Sequence, residues 1–227
     1  MKKIISGKNI VKTHGKGQER IRALNNVNIE ISAGEFVAVM GPSGCGKSTL
    51  LFALSGTDTI DSGAIAFAGQ ALSELSDNEL SDIRRTKMGF VFQQPTMLKN
   101  LNLLDNIILC SLQGGKSNIK KITEKAKRLM KDTGISCLED RDITEVSGGQ
   151  LQRAGICRAL MNEPEILFAD EPTGALNSKS SEEIMEIFSS INKKGTAILL
   201  VTHDAKVASR AQRVLFMKDG KIESELF

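Results

Sequence analysis

The sequence holds no tryptophan and no tyrosine, and its 4% aromatic share rests on nine phenylalanines. Cysteine is equally thin. Cys45, Cys110, Cys137 and Cys157 are scattered with no CxxC pair, which argues against a zinc site or a disulfide framework and reads as reduced thiols. No apolar run approaches the ~20 residues of a membrane span. The basic opening "MKKIISGKNIVKTHGKG" lacks the apolar segment of a signal peptide, so a membrane role has to run through a partner. Nor does one sign of charge dominate: 30 Lys and Arg are interspersed with 27 Asp and Glu, for a net +3. That balance gives no electrostatic case for nucleic acid as the main partner. Repeats, low-complexity tracts and long linkers are missing as well. What remains is a chain of 227 residues with 41% apolar content, ample for a packed core in one large or two small domains.

The most informative stretch is "GPSGCGKSTLL", Gly41 to Leu51, which follows the buried-strand pattern "EFVAVM". Where a strand hands over to a helix, the first helical N–H groups lack partners and the peptide dipoles gather positive charge. Gly41, Gly44 and Gly46 let the backbone wrap around phosphate oxygens, Lys47 adds a full charge, and Ser48 supplies a magnesium ligand. The spacing is that of a P-loop. Cys45, inside this loop and beside Lys47, is expected to be reactive and shielded by bound nucleotide.

Elsewhere, "NVNIEI" alternates as a half-exposed antiparallel strand would, whereas "EILFAD" and "TAILLVTH" are the continuous apolar runs of buried parallel strands. Two kinds of sheet are expected. The middle third reads as a mostly helical insert: "SDNELSDIRRTK" opens with a Ser76 to Glu79 capping box, and "NLLDNIILCSL" and "KKITEKAKRLMKD" have helical spacing. In the basic run from Lys116 to Lys131, Ile122, Ala126 and Leu129 share one face, as in a solvated helix rather than a lipid-binding one. Asp219-Gly220, between "VLFM" and "KIES", signals a hairpin.

A second chemical site is "ILFADEP", an apolar strand ending in two carboxylates. Asp170 is placed towards a magnesium shell, and Glu171 is offered to a water near the terminal phosphate. A third feature, "VSGGQLQRAGICRAL", is another helix N-terminus dressed for an anion, which one nucleotide site in one chain does not use.

These residues resemble the ATP-binding cassette (ABC) family over nearly the whole chain. Its signature "LSGGQ" is matched by "VSGGQ", with Val146 in place of Leu, and five motifs stand in order: P-loop, Gln93 in "GFVFQQP", signature, Asp170-Glu171 and His203 in "LLVTHD". The resemblance implies an α/β fold, a P-loop NTPase core with an antiparallel β-subdomain and an α-helical subdomain. In such a single domain, 1–227, the core and β-subdomain would occupy about 1–92 and 160–227, and the helical insert about 93–159. It implies an ATPase with ATP and Mg2+ as ligands, acting as a head-to-tail homodimer. The nucleotide would lie on Gly41, Pro42, Ser43, Gly44, Cys45, Gly46, Lys47, Ser48 and Thr49 of one copy, facing Ser147, Gly148, Gly149 and Gln150 of the other. Gln93 would join Ser48 and Asp170 at the metal and meet the attacking water; Glu171 would be the general base and His203 would contact the terminal phosphate.

Within the family, "GFVFQQP", "ADEPTGAL" and the compact length look like the branch for macrolide export, lipoprotein release and peptide-antibiotic resistance, and "EPTGALNSK" looks most like the last group. That branch implies an integral membrane permease as partner and a place on the cytoplasmic face of the membrane. Cell-division, lipoprotein-release and iron–sulfur assembly ATPases are the alternatives. Two positions depart from the family's pattern: His14 stands where an aromatic usually stacks on adenine, and Asn177 where Asp is usual. Met97, Leu98 and Leu101, after Gln93, are expected to line a docking groove for the permease.

Overall fold

The computed structural model describes residues 2–15, 20–112 and 118–226. Lys116, the start of the basic run, lies outside them. Two sheets form, as the two strand patterns require. The antiparallel sheet contains β1 (Lys3–His14), β2 (Ile21–Ser32), β4 (Ser62–Phe67) and β5 (Gln70–Ala71), in the order β2-β1-β4-β5. The second sheet has the order β10-β9-β3-β8-β7-β6, built from β3 (Phe36–Met40), β6 (Met88–Phe92), β7 (Ile166–Asp170), β8 (Ala197–Thr202), β9 (Arg213–Lys218) and β10 (Lys221–Leu226). From β9 to β6 its neighbours are parallel. β3, β7 and β8 are buried on both faces, hence their unbroken apolar runs. Only β10 is antiparallel, joined to β9 by the expected hairpin. Asp219 and Gly220, at φ 46° and 74°, both take the left-handed conformation that a two-residue hairpin turn demands.

The register of the parallel strands decides where chemistry collects. Met40 pairs with Thr202, and Asp170 with Val201, so the carboxyl ends of β3, β8 and β7 lie level and side by side. Segments leaving those ends are neighbours in space although far apart in sequence. In open parallel sheets this edge is where ligands bind.

Among the described residues seven α-helices surround the sheets: α1 (Lys47–Leu54), α2 (Asp77–Lys87), α3 (Leu103–Ile108), α4 (Ile119–Asp132), α5 (Gly148–Leu160), α6 (Ser178–Lys193) and α7 (Ala205–Ala208). They share three apolar cores. The first lies between the two sheets around α1, with Ile5, Leu50, Leu54 and Phe168 at its centre. The second packs Ile184 and Phe188 of α6 on the opposite face of the parallel sheet. The third joins Leu103 and Ile107 of α3, Ala126 and Met130 of α4, and Ala154 and Cys157 of α5. The capping box of α2 forms as its sequence reads. Yet α2 turns Leu80 and Ile83 onto the first core, so it packs apart from the other middle-third helices. On α4, Ile122 and Leu129 rest against the third core while Lys120, Lys121, Lys127 and Lys131 face outward, the arrangement of a solvated helix.

Two expectations need correction. Met97 is only 9% exposed and belongs to the third core, and Leu101 is half-buried; of the presumed groove residues only Leu98 is exposed. The segment is held by buried Asn106, whose Nδ2 donates to the carbonyls of Leu98, Leu101 and Asn102 while its Oδ1 accepts from the Leu98 N–H. Cys45, expected to be reactive, is 6% exposed and packs into the first core beneath the P-loop. The loop keeps its backbone outward and its thiol inward.

Replacing Asn106 with Ala strands several buried backbone groups, and denaturant unfolding should show a loss of about 2–3 kcal/mol. Thiol accessibility gives a second check. Cys137 is exposed, Cys45 and Cys157 are buried, and burial pushes the Cys157 thiol up to about 12 and raises Cys110. Maleimide with mass spectrometry should therefore label Cys137 first in the folded protein. Cys45 and Cys157 should react only on unfolding, with or without ATP.

Candidate functional site

Six of the seven α-helices begin with a side chain that accepts a hydrogen bond from their first turn: Ser76, Asn102, Asn118, Ser147, Asn177 and Asp204. The exception is α1. Its N-cap is Gly46, without a side-chain bond, so among the described helices α1 alone opens its N–H groups and positive dipole end to whatever lies in front. The loop that leads there tolerates no side chain at its ends. A Cβ at Gly41 would stand 2.1 Å from the Met217 carbonyl oxygen, and one at Gly46 2.2 Å from that of Ala23. The β9–β10 turn braces the loop through the Gly220 N–H, which donates to the Cys45 carbonyl at 3.1 Å. Lys47, 7% exposed, donates from Nζ to the carbonyls of Gly41 and Pro42 at 2.9 and 2.8 Å.

Next to this helix start, the Ser48 hydroxyl donates to Asp170 Oδ1 at 2.9 Å. Burial pushes the Asp170 carboxyl above the usual carboxylate range; the Ser48 hydrogen bond opposes that, the adjacent Glu171 charge adds to it, and Lys47 counters it. Glu171 sits just past the end of β7 at φ 47°, a left-handed conformation that costs a residue with a Cβ about 1–3 kcal/mol. Its N–H is tied to the Val201 carbonyl at 2.9 Å, and its Oε1 lies 2.8 Å from His203 Nδ1. The strained backbone and the histidine together fix where this carboxylate points.

One cleft of 670 Å³ is lined by His14, Ser43, Gly44, Cys45, Gly46, Lys47, Ser48, Thr49, Gln93, Glu171 and His203. Gly41 and Pro42 support its floor through Lys47, and Asp170 reaches it through Ser48. Gln93 follows β6 directly and packs against Gly174, where a Cβ would come within 2.9 Å of its Nε2. His14, at the end of β1, places Nε2 3.5 Å from the Thr49 hydroxyl. Ser147, Gly148, Gly149 and Gln150 do not join the cleft. They start α5 with a capping box of their own and lie beside α6, near Leu176 and Ser180. Asn177 caps α6 by accepting from the Ser180 N–H at 2.9 Å, a task Asp would perform equally.

Ile21, Arg22, Ala23, Asp219 and Gly220 also line the cleft, and the sequence reading missed them. The "DG" turn was legible as a hairpin, but no local signal says that a turn near the chain's end lies under a loop at residue 45. The oxygen donors around Ser48 are hard, and no group of three or more His, Cys, Asp or Glu side chains converges among the described residues. That chemistry suits Mg2+ completed by phosphate and water oxygens better than a softer metal.

Known proteins agree with this geometry. Residues 24–174 match the ABC transporter family. The chain is 42% identical over 221 residues to an uncharacterized ABC transporter ATP-binding protein of Methanocaldococcus jannaschii, MJ1508, covering 96% of this chain and 97% of that protein. It is 41% identical over 219 residues to the macrolide export ATP-binding/permease protein MacB of Mannheimia succiniciproducens, covering 96% of this chain but only 34% of that relative's length. The solved dimeric structure of MJ0796, a bacterial ABC transporter cassette, superposes with a TM-score of 0.90 at 40% identity and covers 98% of both chains. A dimeric post-hydrolysis state of the same cassette, bound to ADP and Pi, gives 0.89 at 39% identity with the same 98% coverage of both chains. Similarity this high along nearly the full length carries more than the fold: the chain belongs to the ABC transporter family, as its ATPase domain.

Proposed function

We propose that this chain powers a separate integral membrane permease from the cytoplasmic face of the membrane, hydrolysing ATP as one half of a head-to-tail homodimer, in export of or resistance to antimicrobial peptides or other antibiotics. The observation that best supports a dimer is the division of the anion-binding parts. The open N-terminus of α1, the Ser48–Asp170 pair and the Glu171–His203 pair face one cleft, while the Ser147-Gly148-Gly149 end of α5 lies outside it. A nucleotide held by both parts needs two copies. The dimeric cassettes among the solved structures support the same arrangement. The permease is supported by the ATP-binding/permease relatives. The macrolide-export name of those relatives and the "EPTGALNSK" stretch support the antibiotic reading.

In this reading the whole of 1–227 works as one cassette, and about 93–159 is the helical unit that presents Ser147 to Gln150. The α1 N–H groups and Lys47 take the phosphates. Ser48, Asp170 and Gln93 would hold Mg2+, which when bound neutralises charge on the transferring phosphoryl group. Glu171 accepts the proton of the attacking water, and His203 holds that carboxylate in place through Nδ1 while its other edge faces the terminal phosphate. His14 and Ile21, opposite each other at the ends of β1 and β2, form the wall for the base.

Glu171→Gln keeps the shape but removes the base, so steady-state hydrolysis should fall about a hundredfold or more while ATP still binds. Size-exclusion chromatography with magnesium-ATP should then show the variant accumulating as a dimer and Lys47→Ala failing to form one. Hydrolysis at the parental rate would remove Glu171 from the role of base. At the base wall, His14→Ala should weaken ATP binding about fivefold, the equivalent of about 1 kcal/mol for one aromatic contact, and His14→Tyr should preserve or tighten it. Titration with a fluorescent ATP analogue reads both, and unchanged affinity in the alanine variant would clear His14 of stacking.

A further inference from the structure

Lys12, near the end of β1, is a charged residue that stays outside the nucleotide cleft and is nonetheless buried, at 9% exposure. Its ammonium group points to the connection between α1 and β4. There Nζ donates to Asp58 Oδ1 at 2.8 Å and to the Thr59 carbonyl at 2.6 Å, with the Thr59 hydroxyl at 3.4 Å. Burying an ammonium group is costly unless a counter-charge and further oxygens surround it, and here two consecutive residues supply both. Burial pushes the Asp58 carboxyl up, but the Lys12 hydrogen bond and charge, the Thr59 N–H and the nearby His14 outweigh it and hold the carboxyl below its usual range. The connection is itself fixed to α1. The N–H groups of Thr57 and Asp58 donate to the Phe52 carbonyl at 2.9 and 3.1 Å, and the Thr59 N–H donates to Asp58 Oδ1 at 2.8 Å.

The ladder that holds β1 gives out just before His14. Pairing with β4 ends at Val11, opposite Ser62, and pairing with β2 shifts register between Ile10 and Lys12 and again between Lys12 and Thr13. Among the described residues, the last part of β1 is therefore paired on one side only, across an irregular stretch. Two ties to the α1–β4 connection stand at that point: the Asp61 N–H donates to the Val11 carbonyl at 2.8 Å, and Lys12 adds its ion pair with Asp58 one residue on. We propose that Lys12 positions the wall for the nucleobase: by locking β1 onto the exit of α1 through Asp58 and Thr59, it sets the His14 ring at a fixed reach from the α1 N–H groups that take the phosphates. The proposal rests on the reading of His14 as that wall. One helix then serves both ends of the nucleotide. Its start takes the phosphates and carries Thr49, whose hydroxyl lies 3.5 Å from His14 Nε2, and its exit holds the strand on which His14 sits. Ordering a mobile wall on binding costs affinity, and a wall held in place beforehand avoids that cost. Imidazole offers less stacking area than phenol, so its contact depends more on placement. Lys12 acts through His14 and is a positioning residue, without contact to the nucleotide.

Isothermal titration calorimetry on the full chain, with magnesium-ATP and magnesium tripolyphosphate as the two probes, separates the base from the phosphates. Lys12→Met keeps the apolar stem and removes the charge; ATP affinity should fall about fivefold, the same loss as in His14→Ala, while tripolyphosphate affinity holds in both. Because both changes remove one contact, the double variant should lose about fivefold and not about twenty-five-fold. Lys12→Arg, which returns a charged donor to Asp58, should bring ATP affinity back to within about twofold. If Lys12→Met does not fold, Asp58→Asn at its partly exposed position removes the ion pair more mildly and should cost about two- to threefold for ATP alone. Equal losses for ATP and tripolyphosphate would make Lys12 a support of the fold only and overturn the proposal. Losses that multiply in the double variant overturn it too, as does unchanged ATP affinity in Lys12→Met where His14→Ala weakens it. Unchanged ATP affinity in His14→Ala overturns the wall itself, and the positioning role falls with it.

Discussion

The polar groups that line the cleft at the parallel sheet edge are arranged around one helix end left open. The other six α-helices close their first turns with Ser, Asn or Asp, while α1 starts on a glycine, directly at the carboxyl edge of the parallel sheet. Unpaired N–H groups at a helix start favour an anion, and Lys47 raises that preference by placing an ammonium group at the same spot. The surrounding scaffold keeps this end open and rigid: the Met217 and Ala23 carbonyls crowd Gly41 and Gly46, and the β9–β10 turn holds the Cys45 carbonyl.

The remaining groups are brought to it by strand register. Because β3, β8 and β7 end level, Ser48, Asp170, Glu171 and His203 meet without any long-range side-chain scaffold. The arrangement is costly in places. Asp170 is partly desolvated next to another carboxylate, and Glu171 occupies a left-handed backbone conformation. Such costs persist where the rest of the fold outweighs them, and here the strands on either side of β7, fully buried β8 and largely buried β6, do so.

The three cores explain how distant parts share mechanical contact. α5 contributes Ile156 to the core under α6 and Ala154 and Cys157 to the core of α3 and α4, so the helix that begins at Ser147 is packed into both. Arg153 adds to this, bonding the Thr133 carbonyl at the end of α4 and pairing with Glu183 of α6. A ladder of Phe168, Phe90, Phe92 and Phe52 crosses from the sheet to α1. These contacts pack α5 and β6 directly against the elements that frame the cleft.

The sequence by itself determined what depends on local pattern. Continuous apolar runs marked β3, β7 and β8, alternation marked β2, a capping box marked the start of α2, the Ser147-Gly148-Gly149 run marked the start of α5, and glycine spacing with Lys47 marked the P-loop. Each follows from interactions spanning a few residues. Tertiary structure decided what depends on who lies opposite whom. It buried the Cys45 thiol that neighbouring residues made to look reactive, since the space under the loop is filled by the core and not by solvent. It drew Met97 into a core because Asn106 folds that segment back on α3. It also set the Asp219-Gly220 turn against the P-loop. Periodicity records which face of an element is apolar; the identity of the group it meets is fixed only when distant strands and helices come into register.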